Sequence, residues 1–256
     1  MTAFVVTDAM ASAPVIIGSA TLYCADCLDV LPTLARVDAV IADPPYCIPH
    51  RFGMQKHRDG GLRTLQFAWD DAALRETVIE AVKTCARLSD TQFWFCGLHQ
   101  ASLVADALLE AGMTPKPAAW VKLSPPPAMK GNWWPSGFEL AVYAYRRGAW
   151  FGDANSRRSN VFRFDSYRYG QPGKEAHPTQ KSLKLMRFIV GSLARPGGMV
   201  LDPFMGSGTT GVAAVEQGRA FVGMERERPY FEIACRRIED AQRQRMLFEH
   251  TSERQS

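Results

Sequence analysis

The chain has 256 residues, of which 46% are hydrophobic and 22% charged, so it can build a packed core and is not a disordered protein. Its length fits one α/β domain or two very small ones. The net charge of +4, from 30 basic and 26 acidic residues, permits a polyanionic partner without requiring one. Since we see neither a signal-peptide pattern nor an apolar run near the roughly 20 residues that span a bilayer, we expect a cytoplasmic protein without membrane contact.

Short apolar runs alternate along the chain with longer segments of helical period. The runs predict strands over residues 15–17, 21–24, 38–42, 91–96, 118–121, 138–146, 199–202 and 220–224. The periodic segments predict helices over residues 28–34, 71–88 and 100–111, from an N-cap at Thr179 to Pro196, over 209–217 and from Pro229 onward. This alternation indicates an α/β fold, a mostly parallel, doubly wound sheet with helices on both faces.

Three segments lack a regular period and are predicted to be loops. Residues 47–70 are polar, basic and glycine-bearing. Residues 123–137 contain too many prolines and glycines for regular structure. Residues 147–176 are rich in Arg, Gly, Ser and aromatic side chains.

Two predicted strands end abruptly at a carboxylate followed by proline. The run Ala39–Ala42 stops at Asp43-Pro44-Pro45-Tyr46, and the run ending at Leu201 stops at Asp202-Pro203. The ligand crevice of an open parallel sheet lies at the carboxyl ends of its strands. We therefore expect both carboxylates at one edge of the sheet.

The segment VLDPFMGSGTTGVAA, residues 200–214, is typical of a strand, a glycine loop and a helix. Glycines in the loop let backbone approach a ligand, and the helix start offers free N–H groups. A phosphate-binding P-loop would need Lys after Gly208, where Thr209 stands, and no G-x-G-x-x-G for a nicotinamide cofactor is present. Glu225 ends the next strand and is placed to meet ribose hydroxyls. A purely structural turn is the alternative.

Cys24 and Cys27 have C-x-x-C spacing, but no second pair or histidine cluster completes a metal site. Other cysteines, such as Cys96, lie in apolar runs, where cysteine packs as a small hydrophobe. We expect reduced thiols and no metal.

Together, D-P-P-Y at 43–46 and D-P-F-M-G-S-G at 202–208 resemble the paired signatures of the DNA amino-methyltransferases that use S-adenosylmethionine on adenine N6 or cytosine N4. D-P-P-Y comes first and the glycine loop last, which resembles the beta group of that family. YCADCLDVLPTL and HPTQKS resemble further family segments, so the resemblance covers roughly residues 21–239. It implies one methyltransferase domain over 1–256, with a Rossmann-like fold of permuted motif order, in a bacterial or phage-encoded protein.

The resemblance also implies roles for the matching residues. Asp43, Pro44, Pro45 and Tyr46 would be catalytic. The adenine ring of the cofactor would lie beside Asp26 and Cys27, and its ribose on Glu225. Its methionine part would be held by Asp43, Asp202, Pro203, Phe204, Gly206, Ser207, Gly208 and Thr209, with His177, Thr179 and Lys181 closing over the carboxylate and amino group.

The D-P-P-Y tetrapeptide suits a reaction at an exocyclic amino group. The lone pair of that nitrogen is delocalised into the base, which makes it a poor nucleophile. The Asp43 carboxylate and the Pro44 carbonyl can accept its two N–H bonds, localise the lone pair and stabilise the positive charge of transfer. Prolines fix φ and add no competing donor. Tyr46 can stack on a base flipped out of the duplex.

Double-stranded DNA is the expected partner. The candidate target-recognition region is residues 147–176 together with the loops 47–70 and 123–137. The candidate DNA contacts are Arg51, Lys56, Arg58, Trp133, Trp134, Arg157, Arg158, Arg163 and Arg168. A homodimer and a cognate restriction endonuclease are further expected partners.

We interpret the chain as an adenine-N6 DNA methyltransferase. Cytosine N4 is an alternative, although a serine often replaces the aspartate there. Methylation of RNA or of a protein amide is another, since related D-P-P-Y motifs serve those substrates. A non-catalytic DNA-binding module is the alternative from a different class.

Overall fold

The structure is a computed structural model. It describes residues 13–47, 54–56, 62–64, 74–125, 134, 136–152, 159–166 and 180–253. The strands in these ranges are β1 (Val15–Ile17), β2 (Ala20–Tyr23), β3 (Ala39–Ala42), β4 (Met54–Lys56), β5 (Leu62–Thr64), β6 (Thr91–Cys96), β7 (Thr114–Lys122), β8 (Phe138–Tyr145), β9 (Val161–Phe164), β10 (Met199–Asp202) and β11 (Ala220–Met224). The helices are α1 (Cys27–Val30), α2 (Arg75–Leu88), α3 (Ala101–Glu110), α4 (Leu183–Leu193), α5 (Thr209–Glu216) and α6 (Arg228–Glu253), and residues Leu31–Thr33 form a 3₁₀ turn.

The main sheet has the order β1-β2-β11-β10-β3-β6-β8-β7-β9. Five of its eight neighbouring pairs are parallel, and the antiparallel ones are β1–β2, β6–β8 and β7–β8. The predicted α/β class with a mostly parallel, doubly wound sheet is therefore confirmed. The chain leaves β10 toward β11 and leaves β3 toward β6, in opposite directions. The switch point between these two central strands is where such sheets open a ligand crevice.

Each face of the sheet carries its own core because the central strands are buried on both sides. One core packs α4, α5 and α6 against the sheet through Ile189, Val212 and Ile238. The other packs α2 and α3 through Val82 and Val104. Strand β3 is buried at all four positions, as expected for a strand covered by helices on both faces.

Strand β7 starts four residues earlier than the predicted 118–121, despite two prolines. The backbone nitrogens of Pro115 and Pro117 face the same edge of β7 as the N–H of Ala119. That N–H donates to the Asn160 carbonyl at 2.9 Å, just before β9 begins. Before Ala119 that side of β7 has no described strand beside it. A proline, which has no N–H to donate, is therefore tolerated there.

Other boundaries also differ from the predictions. Helix α4 begins at Leu183 with Ser182 at its N-cap, so the prediction that Thr179 caps this helix is wrong. Thr179 itself lies outside the described residues. The short strand β9 and the β4–β5 pair were not predicted, because the segments 147–176 and 47–70 show no clear period.

The six cysteines form no disulfide among the described residues. Within the same residues, no helix is both long and apolar enough to span a bilayer, and no three metal-ligating side chains converge.

Candidate active site

A pocket opens at the carboxyl edge of the sheet, at the switch point. It brings together side chains from the ends of three neighbouring strands. Its lining includes Asp26, Cys27, Asp43, Pro44, Pro45, Tyr46, Gln180, Lys181, Asp202, Pro203, Phe204, Gly206, Ser207, Thr209 and Glu225. The two strand-ending carboxylates therefore share one site, although they are 159 positions apart in the chain.

Asp202 organises the glycine loop that follows β10. Its side chain is buried, with one oxygen accepting from the Phe204 N–H at 3.0 Å and the other from the Thr210 hydroxyl at 2.6 Å. Burial raises the pKa of Asp202 to about 7, although these two hydrogen bonds oppose the rise. Gly208 ends the loop with φ of +79° and serves as the N-cap of α5.

Helix α6 braces this loop from outside the pocket. The Arg237 guanidinium donates to the Ser207 carbonyl, to the Ser207 hydroxyl at 3.0 Å and to the Thr209 hydroxyl at 3.2 Å. One cation thus fixes both ends of the turn into α5.

The far wall carries two more acidic groups. Glu225 follows β11 and accepts from the Glu227 N–H at 2.7 Å, and burial raises its pKa. Asp26 is the N-cap of α1 and accepts from the Leu28 N–H at 3.0 Å. Cys27 is buried beside it, and burial strongly raises the pKa of its thiol. The C-x-x-C pair therefore contributes a packed thiol to the pocket wall.

At the opposite end, the Lys181 ammonium joins the D-P-P-Y segment to β8. Its nitrogen lies 2.8 Å from Asp43 Oδ2, 3.0 Å from Glu139 Oε2 and 3.1 Å from the Tyr46 hydroxyl. An ammonium has three N–H donors, and these three acceptors match them. Sequence reasoning placed Lys181 over the cofactor carboxylate, whereas the structure directs it to Asp43.

Glu139 completes this cluster. Its second oxygen accepts from Lys122 at 2.9 Å, and the Tyr46 hydroxyl donates to Oε2 at 3.0 Å. Burial alone would raise the pKa of Glu139, but Lys181 and Lys122 lower it to about 2. Burial raises the pKa of Asp43, Lys181 opposes that rise and Glu139 adds to it.

A buried amide clamps the backbone of D-P-P-Y. Gln100, at the start of α3, donates to the Pro45 carbonyl at 2.6 Å and accepts from the Gly97 N–H at 3.2 Å. Cys47 follows with φ of 54°, a left-handed conformation that is uncommon outside glycine. The Pro45 carbonyl is thereby occupied by protein, and the chain turns sharply after Tyr46.

Gln180 is the exception in this well-paired site. The residue is 8% exposed and lines the pocket, yet its amide nitrogen and amide oxygen are both buried without a hydrogen-bond partner in the described structure. Buried amides are nearly always paired, so an unpaired one in a pocket indicates a ligand contact.

The DNA-contact predictions fall mostly outside the described residues. Those outside are Arg51, Arg58, Trp133, Arg157, Arg158 and Arg168, and the cofactor candidates His177 and Thr179 lie outside as well. Lys56 ends strand β4, of which only the backbone is described. Trp134 is 88% exposed and Arg163 is exposed on β9, so both are accessible to a partner.

Sequence reasoning missed several residues of this site. Glu139 and Gln100 lie outside the quoted motifs, and Gln180 lies inside HPTQKS but was given no role. Glu139 did carry a signal, because a lone carboxylate stands in the otherwise apolar strand FELAVYAY. A charge inside a buried strand needs a partner, and that requirement could have pointed to a lysine.

The comparisons with known proteins agree with this geometry. A family model described as DNA methylase, N6_N4_Mtase, matches residues 37–236. The chain belongs to this family. It is 26% identical over 229 residues to the Type II methyltransferase M2.DpnII of Streptococcus pneumoniae, covering 79% of this chain and 82% of the relative. It is 25% identical over 245 residues to the Type II methyltransferase M.HinfI of Haemophilus influenzae, covering 86% and 68%.

Solved structures of DNA methyltransferases share the fold of this chain. The M1.HpyAVI–SAM complex superposes with a TM-score of 0.67 at 29% identity, covering 86% of this chain and 98% of that one. The cytosine-N4-specific PvuII DNA methyltransferase superposes with a TM-score of 0.66 at 16% identity, covering 92% and 96%, a likeness of fold. This DNA methylase is therefore an S-adenosylmethionine-dependent DNA methyltransferase with a Rossmann-like fold.

The described pocket fits that cofactor chemically. Glu225 offers a carboxylate to sugar hydroxyls, and Phe204 offers an aromatic wall that is held edge-on by Trp94 at 6.5 Å. The unpaired Gln180 amide can both donate and accept, which matches a group that carries an ammonium and a carboxylate.

Proposed function

We propose that this DNA methylase methylates the N6 amino group of adenine in double-stranded DNA, on a base flipped out of the helix. The observation that carries the proposal is the Asp43 carboxylate. It stands at the end of β3, in the same pocket as the glycine loop, with one oxygen fixed by Lys181. The other oxygen is proposed to accept the substrate amino group.

Asp43 and Pro44 orient the nucleophile in this proposal. The second Asp43 oxygen and the Pro44 carbonyl each accept one N–H of the base. Because Gln100 occupies the Pro45 carbonyl, Pro44 supplies the acceptor. When bound, S-adenosylmethionine supplies the activated methyl group. Transfer would form the C–N bond at the expense of the cofactor's C–S bond, and one N6 proton would be lost to solvent. Fixed acceptors stabilise the positive charge that builds on nitrogen.

The cofactor contacts follow the lining of the pocket. Asp26 and Cys27 border the adenine ring, and Glu225 accepts from the ribose hydroxyls. The residues proposed to hold the methionine part are Asp202, Pro203, Phe204, Gly206, Ser207, Gly208 and Thr209, with His177 and Thr179 from the adjoining segment. Lys181 is better placed as the partner of Asp43 than as a cofactor ligand.

Tyr46 supplies the stacking surface for the flipped base. Its hydroxyl is held by Glu139 and Lys181, and Tyr46 packs against Gly97, where an added Cβ would lie 3.1 Å from Tyr46 Cβ. A ring fixed in this way needs no ordering when a base arrives. Stacking contributes roughly 1–3 kcal/mol per base, which offsets much of the cost of unstacking.

Cytosine N4 is the second candidate, because the family acts on both bases and the cytosine-N4-specific PvuII enzyme shares the fold. Asp43, where a serine often stands in that group, favours adenine. Family membership favours DNA over RNA or protein as the substrate.

Target recognition is proposed for residues 147–176 and the loops 47–70 and 123–137. Among the described residues, the exposed Trp134 and Arg163 are the proposed DNA contacts. The Type II methyltransferase relatives support a restriction-modification role and a cognate endonuclease. A homodimer remains a prediction from the sequence.

The Asp43→Ala variant tests the catalytic assignment, with Asp38→Ala as the matched control. Asp38 is also a strand-flanking aspartate, but it pairs with Arg195 at 3.0 Å outside the pocket. We expect Asp43→Ala to abolish methyl transfer while S-adenosylmethionine binding stays measurable by calorimetry. Undiminished transfer by Asp43→Ala would refute the assignment.

A further inference from the structure

Four buried or half-buried charges form a chain of alternating sign behind the D-P-P-Y segment. It runs from Lys122 through Glu139 and Lys181 to Asp43, with N–O distances of 2.9, 3.0 and 2.8 Å. The formal charges of the four groups sum to zero, which makes their burial tolerable. Glu139 is the central link, because each of its oxygens binds one ammonium.

We propose that Glu139 is a positioning residue of methyl transfer: by sharing the Lys181 ammonium with Asp43, it orients the Asp43 carboxylate to accept the substrate amino group. This inference rests on the proposed role of Asp43. It does not depend on whether the amino group belongs to adenine or cytosine.

The geometry of the Lys181 donors gives the reason. They meet Asp43, Glu139 and the Tyr46 hydroxyl, one acceptor each. If Glu139 lost its negative charge, Asp43 would be the one carboxylate left beside the Lys181 ammonium in the described cluster. The ammonium would then turn toward Asp43. A cation shared between both Asp43 oxygens would compete with the substrate amino group for them.

The charges around Asp43 shift its pKa in opposite directions, and an experiment can measure these directions. The charged and titratable groups that influence Asp43 are Lys181 and Tyr46, Glu139 on β8, Cys96 on β6 and Asp202 on β10. Glu139 raises the pKa of Asp43 and Lys181 lowers it. A higher pKa makes the Asp43 carboxylate a stronger hydrogen-bond acceptor. Removing Glu139 should therefore lower the pKa of Asp43 and weaken it as an acceptor, and removing Lys181 should do the opposite.

The test is the Glu139→Gln variant, measured as total methyl transfer from labelled S-adenosylmethionine to DNA across pH 4.5–9, on the full chain. We expect kcat to fall about 10- to 100-fold, the cost of a misplaced reacting group, with cofactor affinity within about twofold of the wild type. The acidic limb of the kcat profile should move to lower pH. Lys181→Met should move that limb to higher pH, a contrast that a merely structural role would not give.

Two further variants keep the test decisive. Glu216→Gln removes a remote surface carboxylate that pairs with Arg187, and it should leave kcat and the pH profile unchanged. Glu139→Gln/Lys122→Met removes both charges of one pair, so it carries the test if Glu139→Gln alone does not fold. The double variant should show the same lowered kcat and the same direction of limb shift.

An unchanged kcat and acidic limb in Glu139→Gln, or in the double variant, would overturn the proposal. So would a limb that moves in the same direction in Glu139→Gln and Lys181→Met. Nucleoside analysis of the same reactions separates this failure from that of the adenine assignment. A cytosine product with the expected limb shifts would refute the adenine proposal and leave the role of Glu139 standing.

Discussion

Gly208→Ala should destabilise the protein through a contact between the glycine loop and helix α6. Gly208 has φ of +79°, and a Cβ added there would lie 2.9 Å from Ala234 Cβ and 3.1 Å from Ala234 Cα. A clash with backbone cannot be relieved by turning a side chain. The substitution therefore combines backbone strain with overpacking where the loop enters α5.

Each contribution has a known size. A left-handed conformation costs a non-glycine residue roughly 1–2 kcal/mol. Overpacking costs about 1–3 kcal/mol. The loss of unfolded-chain freedom returns about 0.4–1 kcal/mol. The expected net loss is thus about 1–5 kcal/mol, a large share of the roughly 5–15 kcal/mol that stabilises a typical domain.

Gly197→Ala is the matched control, because Gly197 has φ of +73° and nothing within 4 Å of an added Cβ. Both variants carry the strain, so the difference between their free energies of unfolding in urea isolates the packing cost, about 1–3 kcal/mol. Ala234→Gly should restore part of that difference in the Gly208→Ala background. Equal losses in the two single variants, or no rescue, would refute the contact between the loop and α6.

Three further outcomes follow from the described site. Burial raises the pKa of Asp202 to about 7 in the folded state, so between pH 4 and 7 the unfolded chain releases this proton while the folded protein keeps it. The cofactor-free protein should therefore lose roughly 3 kcal/mol of its free energy of unfolding as pH rises from 4 to 7, a loss that urea titrations of Asp202→Asn should not show. Gln180→Leu removes a buried unpaired amide and should stabilise the cofactor-free protein by about 1–3 kcal/mol in a thermal melt while lowering methyl transfer; a less stable variant would contradict the unpaired state. Arg237→Met should weaken S-adenosylmethionine binding at unchanged kcat, because it releases Ser207 and Thr209; calorimetry showing wild-type affinity would rule out the brace.

The sequence predicted the fold class because the relevant signals are local. Strand β3 is a short apolar run ended by Asp43-Pro44, and β10 is followed at once by its glycine loop. Strand ends of this kind directly indicate where the ligand crevice of a parallel sheet lies. The order of β6, β8 and β7, and their antiparallel pairing, depends on contacts between distant segments that no local pattern encodes.

The same distinction separates the parts of the site. Asp43 and Asp202 belong to contiguous motifs and were found from them. Glu139 and Gln100 act on D-P-P-Y from 93 and 55 positions away, through contacts that only the fold creates. Lys181 was found by its motif, but its placement on Asp43 depends on where the fold brings the residues just before α4.

The most direct test of the central claim is nucleoside analysis of unmethylated DNA after incubation with the purified protein and methyl-labelled S-adenosylmethionine. We expect labelled N6-methyladenine from the wild type and none from Asp43→Ala. Labelled N4-methylcytosine would contradict the assignment to adenine. Label that persists in the Asp43→Ala reaction would contradict the placement of the chemistry at D-P-P-Y.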